Sequence, residues 1–117
     1  MRLHHVQVAC PRGGENAARR FYVDGLAMTE VEKPDDLKAR GGAWFRSGGA
    51  EIHLGVEEPF APARKAHPAL VVDDLATVAA RLESLGFEVD WRERHTFPGF
   101  ERFHTHDSHG NRVEVLG

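Results

Sequence analysis

The chain has 117 residues, a length that fits one domain and can bury a hydrophobic core without disulfide or metal staples. Its formal net charge of −3, with 41% hydrophobic and 28% charged residues, argues against nucleic-acid and membrane partners. The single cysteine excludes an internal disulfide, and no apolar segment reaches the roughly 18 residues of a membrane span. The first residues lack the apolar run of a signal peptide, so we predict a cytoplasmic protein.

The first half of the chain predicts a strand, a helix and three more strands. Residues 4–9 form the first strand, and a helix follows over residues 15–25, with Gly25 as its stop signal. Three β-like stretches come next, and a Gly48-Gly49 pair predicts a hairpin turn between the last two. These stretches are residues 27–32, 42–46 and 50–56.

The second half repeats this order. Residues 67–72 have the pattern of a strand, Asp73 and Asp74 can cap a helix, and apolar residues at helical spacing continue towards Gly86. Three further β-like stretches complete the repeat. These are residues 87–93, 100–106 and 111–116.

A segment with two prolines joins the halves. Pro59 and Pro62 break regular structure, so residues 57–66 are predicted to be a linker. We therefore predict one α+β domain over residues 1–117, built from two tandem βαβββ modules. Module one would span 1–56 and module two 67–117.

Four residues of metal-ligand type occupy matching positions in the two modules. His5 and His67 are separated by 62 residues, and His53 and Glu114 by 61. Because strand side chains alternate between faces, each of the four lies opposite the aliphatic face that the helices would cover. The chain has eight histidines, and neutral imidazole is the commonest metal ligand. The pattern predicts a metal site on the polar face of the sheets.

Four segments carry a family resemblance. Residues 3–8 resemble the first strand of one known family, and Phe21-Tyr22 followed by Gly25-Leu26 resembles the first-helix signature of the same family. Residues 67–75 look like a second-module opening, and residues 107–115 like a closing turn and strand. Together they resemble the vicinal-oxygen-chelate superfamily, which includes glyoxalase I, extradiol dioxygenases, and fosfomycin- and bleomycin-resistance proteins. The resemblance covers essentially the whole chain and implies a single-domain bacterial glyoxalase-like member, with cupped mixed sheets around a metal-site cavity.

The resemblance implies a ligand set and a type of chemistry. His5, His67 and Glu114 correspond to ligands that several branches of the family share, and His53 stands where bacterial glyoxalase I has a glutamate ligand. Such a set would hold one divalent ion per chain, of Zn, Ni, Fe, Mn or Co. The ion would bind two neighbouring oxygens of a small molecule and act as a Lewis acid.

Other polar residues are candidates for work beside the metal. Glu51 and Glu101 are candidate general bases, and the sequence does not choose between them. Arg112 shares a strand face with Glu114 and is expected to orient it. The remaining candidates would contact the substrate: Gln7, Arg64, Lys65, Arg102, His104 and His106.

Four functions remain open on the sequence, the last of which is a small regulatory domain. The first is a metal-dependent glyoxalase-like lyase, isomerase or thiol transferase. The second is an extradiol-type dioxygenase, although such enzymes commonly carry an extra pair of modules. The third is a metal-free binding or drug-resistance protein, which would usually lack the ligand residues that this chain keeps.

The sheets of two such modules have open edges, and proteins avoid exposing these. The family often completes its barrel by pairing module one of one chain with module two of another. We therefore expect a homodimer. In that arrangement His5 and His53 would come from one subunit, and His67 and Glu114 from the other.

Overall fold

The computed structural model describes residues 1–117 and contains one four-stranded and one three-stranded mixed sheet. The predicted α+β class is confirmed. The strands are β1 Val6–Cys10, β2 Thr29–Val31, β3 Ala43–Ser47, β4 Ala50–Val56, β5 Ala69–Val71, β6 Arg102–His106 and β7 Arg112–Leu116. The helices are α1 Glu15–Arg19, which continues as a π-helical segment over Arg20–Gly25, α2 Asp35–Lys38 and α3 Leu75–Ser84. None of them combines the length and apolar character needed to cross a membrane.

Both sheets place a parallel pair beside an antiparallel one. In the first sheet the order is β1-β4-β3-β2, and β1 runs parallel to β4. In the second the order is β5-β7-β6, and β5 runs parallel to β7. The register sets His53 opposite Gln7, and it sets Glu114 between Ala69 on one side and His104 on the other. These pairings place the polar residues of both modules at the sheet centres.

The second module departs from the predicted pattern. Residues 87–93 were expected to form a strand, but they meet β6 only through one bridge, between Asp90 and His104. The carboxylate of Asp90 accepts a hydrogen bond from the backbone N–H of Arg92 at 3.0 Å, which turns the chain away from the sheet. Such local side-chain bonds compete with ladder pairing. The second sheet therefore has three strands instead of four.

The first module differs at two points. Residues 27–32 were expected to form a strand, but β2 covers only Thr29–Val31, because Ala27 has a φ of 57° and cannot be extended. The short helix α2 was not predicted. At the start of β3, Gly42 has a φ of 84°, and a Cβ there would lie 2.0 Å from the carbonyl oxygen of Leu54.

One hydrophobic core serves both modules. Phe45, Ile52 and Leu54 reach it from the first sheet, and Phe103 and Val115 reach it from the second. Helix α3 contributes Val78, Ala79 and Leu82, in the predicted helical spacing. Its N-terminus is capped by Asp74, which accepts from the backbone N–H of Thr77. With the aliphatic faces buried against the helices, the opposite sheet faces are left for polar side chains.

The turn between β6 and β7 is tied to the first module. Asp107 is buried and accepts hydrogen bonds from the Tyr22 hydroxyl at 2.7 Å and from the Asn111 side chain at 2.9 Å. Asn111 also donates to the carbonyl oxygen of Ala9 at 2.7 Å, and the ring of His109 bonds the carbonyl oxygen of Gly14. This network fixes the start of β7, the strand that carries Glu114.

Candidate metal centre

Glu114 lies at the centre of a buried polar group on the second sheet. Its Oε2 atom lies 3.1 Å from Nε2 of His67 and 3.8 Å from Nε2 of His104. The ligand atoms of these three residues all lie within 4.8 Å of one another. This is the only group of three or more histidine, cysteine or carboxylate side chains in the chain whose atoms converge in this way.

The ring of His67 is held in one orientation by the backbone. Its Nδ1 atom lies 2.8 Å from the carbonyl oxygen of Lys65, which can only accept, so Nδ1 carries the proton. In the neutral ring, Nε2 then presents a lone pair to the carboxylate of Glu114, and two acceptors face each other. A cation between them, or a second proton on the ring, resolves this repulsion. A ring N–H donated to a carbonyl oxygen is also the usual outer contact of a metal-bound histidine.

Arg102 fixes the other side of the carboxylate. It donates to Oε1 of Glu114 at 2.9 Å, and it is held in turn by the hydroxyl of Thr96 and the carbonyl oxygen of Glu93. Burial alone would raise the pKa of Glu114, but the pKa is lowered, chiefly by the hydrogen bond from Arg102. Glu114 is therefore an anion at neutral pH, with Oε2 directed at the two imidazoles.

His104 joins the group from β6. The sequence predicted it as a substrate contact, and the strand register sets it directly opposite Glu114. Its side chain is buried, and burial together with the nearby Arg112 lowers its pKa. His104 is therefore neutral at pH 7 and available as a ligand.

Of the other two predicted ligands, His53 lies in β4 and His5 lies just before β1. The ring of His53 stacks between Trp44 and His5, with ring centroids 4.0 and 3.9 Å away. His53 is buried and His5 is exposed. The four predicted ligands thus form two separate pairs, one beside each sheet. His5 and His67 line the same cavity of about 510 Å³ between β1 and β5, but their ligand atoms do not converge.

Glu51 lies beside the histidine pair of the first sheet. Its carboxylate bonds Nε2 of His53 at 2.8 Å and Nε of Arg46 at 3.0 Å. Hydrogen bonds from His53 and then Arg46 lower the pKa of Glu51 to about 2. Burial lowers the pKa of His53 more than the bond to Glu51 raises it. At neutral pH the pair is an anionic carboxylate that holds a neutral imidazole.

Other predicted residues are spread more widely. Glu101, the second candidate base, bonds Arg94 at 2.7 Å and lines a cavity with helix α3, on the far side of the sheet from Glu114. Arg112, expected to orient Glu114, makes no ion pair with it, and Arg102 takes this position. Of the remaining substrate candidates, Gln7 lines a cavity beside the linker, and Arg64 and His106 line another. Lys65 is exposed and lines neither cavity.

The donor set fits a divalent transition metal. Two imidazole nitrogens and a carboxylate oxygen are ligands that Zn²⁺, Ni²⁺, Fe²⁺, Mn²⁺ and Co²⁺ accept. His67 has the outer contact that such a ligand needs, and Arg102 supplies the one for Glu114. With the ring of His67 neutral, the Lys65–His67–Glu114 alignment leaves an acceptor pair that a bound cation would relieve.

Sequence comparison places this chain in a family. The profile of the Glyoxalase/Bleomycin resistance protein/Dioxygenase superfamily matches residues 2–115. The chain belongs to this superfamily. Among curated proteins no match was found. Superfamily membership supports both the α+β architecture and the small-molecule chemistry that its name covers.

Solved structures of the glyoxalase superfamily share the fold of this chain. A glyoxalase family protein from Bacillus anthracis is 43% identical, with a TM-score of 0.92 over 99% of this chain and 93% of that chain. A glyoxalase family protein from Enterococcus faecalis is 20% identical, with a TM-score of 0.71 over 99% and 97%. The fosfomycin resistance protein FosX from Listeria monocytogenes is 13% identical, with a TM-score of 0.73 over 100% and 90%. The last two similarities show the fold alone.

Proposed function

We propose that this protein is a metal-dependent glyoxalase-like enzyme, of the lyase, isomerase or thiol transferase class, that acts on a small molecule through two adjacent oxygens. One observation carries the proposal. His67 is fixed by the carbonyl oxygen of Lys65 so that its Nε2 lone pair meets the carboxylate of Glu114 at 3.1 Å. When the ring of His67 is neutral, this arrangement sets two acceptors against each other, and a bound cation would relieve their repulsion.

His67 and Glu114 would form the constant part of the ligand set. The remaining ligands would be His5 and His53 from a second copy of the chain, which makes the protein a homodimer with shared sites. The separation of the two pairs on different sheets supports this arrangement, as do the open edges of β1 and β5. His104 is the competing ligand, since it supplies a third donor within the same chain.

The side chains of this protein would each have a defined task. When bound, the metal would supply Lewis acidity to the oxygens of the substrate. Arg102 would hold Glu114, and Lys65 would hold His67 through its backbone carbonyl.

The Glu51–His53 pair is the better placed of the candidate proton acceptors. With a pKa of about 2, the Glu51 carboxylate is by itself a weak base. A proton accepted by the ring of His53 would, however, lie against that carboxylate. Glu101 faces the other side of its sheet.

The test is a metal titration of chelator-stripped protein, purified without a His tag. We expect about one Zn²⁺, Ni²⁺ or Co²⁺ per chain. His67→Ala and Glu114→Ala should each weaken binding strongly, since each removes a donor from a set of three or four. His95→Ala is the matched control, because His95 is exposed in the loop after residue 93 and outside the group. Wild-type affinity in both ligand variants would refute the proposal.

A further inference from the structure

A second polar cavity lies next to the candidate metal centre. It has a volume of about 300 Å³, and none of the side chains that line it is hydrophobic. Its walls come from the linker, from the segment before β6, and from β6 and β7 themselves. His104 belongs both to this cavity and to the group around Glu114, so the two regions are continuous.

The charges of this cavity are unevenly paired. Asp90 binds Arg92 in a fork of short hydrogen bonds, and these strongly lower the pKa of Asp90. Arg64 and Arg112 face the same cavity and take part in no ion pair or side-chain hydrogen bond. Glu88 is the other acidic residue of the lining. The pKa of Arg92 is raised chiefly by its hydrogen bond to Asp90, and the charge of Glu88 adds to this. Two guanidinium groups are therefore left without a carboxylate partner.

The position of Arg112 links this charge to the metal centre. Arg112 is partly buried, and it stands two residues before Glu114 on the same face of β7. Two residues of a strand span about 7 Å. Across the ladder Arg112 is opposite His106, whose ring can donate a further hydrogen bond from the cavity wall. A small molecule that reaches both regions would thus carry its negative charge a few bonds from its chelating oxygens.

We infer that this cavity binds an anionic group, a carboxylate or a phosphoryl group, through Arg64 and Arg112. Guanidinium groups bind both kinds of oxyanion in a bidentate geometry. Such charge-assisted hydrogen bonds are about twice as strong as hydrogen bonds between neutral groups. The assignment of this anionic group as the charged end of the substrate rests on the function proposed above. The substrate class is then a small acid with two adjacent oxygens at its other end.

The experiment is an NMR titration of the chelator-stripped protein with inorganic phosphate and, separately, with acetate. Ionic strength is held constant with chloride. We expect saturable shifts of the backbone amides around residues 64, 106 and 112. Arg64→Gln and Arg112→Gln should each weaken binding by about fivefold or more, because each removes one charge-assisted contact. Arg40→Gln changes the net charge equally at an exposed residue outside the cavity and should bind as the wild type does.

The outcomes separate this inference from the metal proposal. Tighter phosphate binding would assign a phosphoryl group, and tighter acetate binding a carboxylate. Equal affinity in the wild type, Arg64→Gln and Arg112→Gln would overturn the anion site, even if the metal titration succeeds. Lost anion binding in both variants would uphold it, even if no metal binds. The amide spectrum of each variant shows whether it is folded, and Arg64→Gln alters only an exposed linker residue.

Discussion

Arg102 and Glu114 form an ion pair of 2.9 Å that crosses from β6 to β7. The pair occupies Oε1 of Glu114 and leaves Oε2 to the imidazoles of His67 and His104. Because both members are mostly buried, the carboxylate is fixed before any ligand arrives. Arg102 is thus a positioning residue, one that acts through Glu114.

Arg102→Gln should lower metal affinity by about 10- to 100-fold, the usual cost of losing a partner of a ligand side chain. The measurement is competition against a chromophoric chelator. Arg94→Gln is the control, since Arg94 pairs with Glu101 on the helix side of the sheet. Arg102→Lys should restore part of the affinity. Unchanged affinity in Arg102→Gln would show that Glu114 needs no support from Arg102.

Subunit sharing can be tested by complementation. Mixed dimers of His5→Ala and Glu114→Ala chains would collect both defects in one site and none in the other, so metal binding should return in part. Each variant alone should bind poorly. If proven exchange brings no recovery, all ligands come from one chain, and His104 becomes the natural third donor. A chain that is monomeric at micromolar concentration would end the shared-site proposal.

His53 can be assigned by two substitutions. If it is a ligand, His53→Ala should weaken metal binding, and His53→Glu should preserve it by supplying a carboxylate. The stack of Trp44 on His53 gives a second readout, because metal binding at His53 should change the fluorescence of Trp44. Trp91→Phe removes the only other tryptophan signal. If neither substitution alters affinity, His53 serves Glu51 instead of the metal.

Tyr22 should make the protein sensitive to alkali. Burial, and then the charge of Asp107, raise its pKa well above the model-compound value of 10.0. Because the pKa of Tyr22 is higher in the folded than in the unfolded protein, its contribution to the free energy of unfolding is complete below the unfolded pKa. That contribution is lost as pH rises through the folded pKa. Tyr22 is the only tyrosine, so phenolate absorbance should appear together with unfolding. Phenolate formation in protein that stays folded near pH 10 would contradict this.

Tyr22→Phe tests the hydrogen bond itself. It removes the donor to Asp107 and should lower the free energy of unfolding at neutral pH by about 1–3 kcal/mol, since a buried acceptor loses a partner. Chemical denaturation measures this difference. A change below about 0.5 kcal/mol would mean that Asn111 and the backbone N–H groups alone satisfy Asp107.

Period-two alternation was enough to predict which face of β7 carries Glu114 and that His67 shares it. The alternation does not determine which residues of neighbouring strands lie opposite each other. The sequence favoured Arg112 as the partner of Glu114 because the two are close along the chain, whereas the contact goes to Arg102 on the neighbouring strand. His104 was predicted to line the cavity because it shares a strand face with Arg102 and His106, and only the register sets it opposite Glu114.

The predicted strand at residues 87–93 shows another limit. Its residues have the composition of a strand, but the side chain of Asp90 bonds Arg92 locally and ends the pairing after one bridge. Helix α3 was predictable because its cap, apolar spacing and terminal glycine all agree. Agreement of several local signals thus separated the reliable predictions from the others.

The network around Asp107 has a consequence for cooperativity. It joins the turn before β7 to β1 and to the π-helical segment, and the hydrophobic core spans both sheets. Opening either half would therefore break the polar network and expose apolar surface of the other. In native-state hydrogen exchange, the slowest amides of β4 and β7 should then share one opening free energy. A chain of two similar halves would unfold as a single unit.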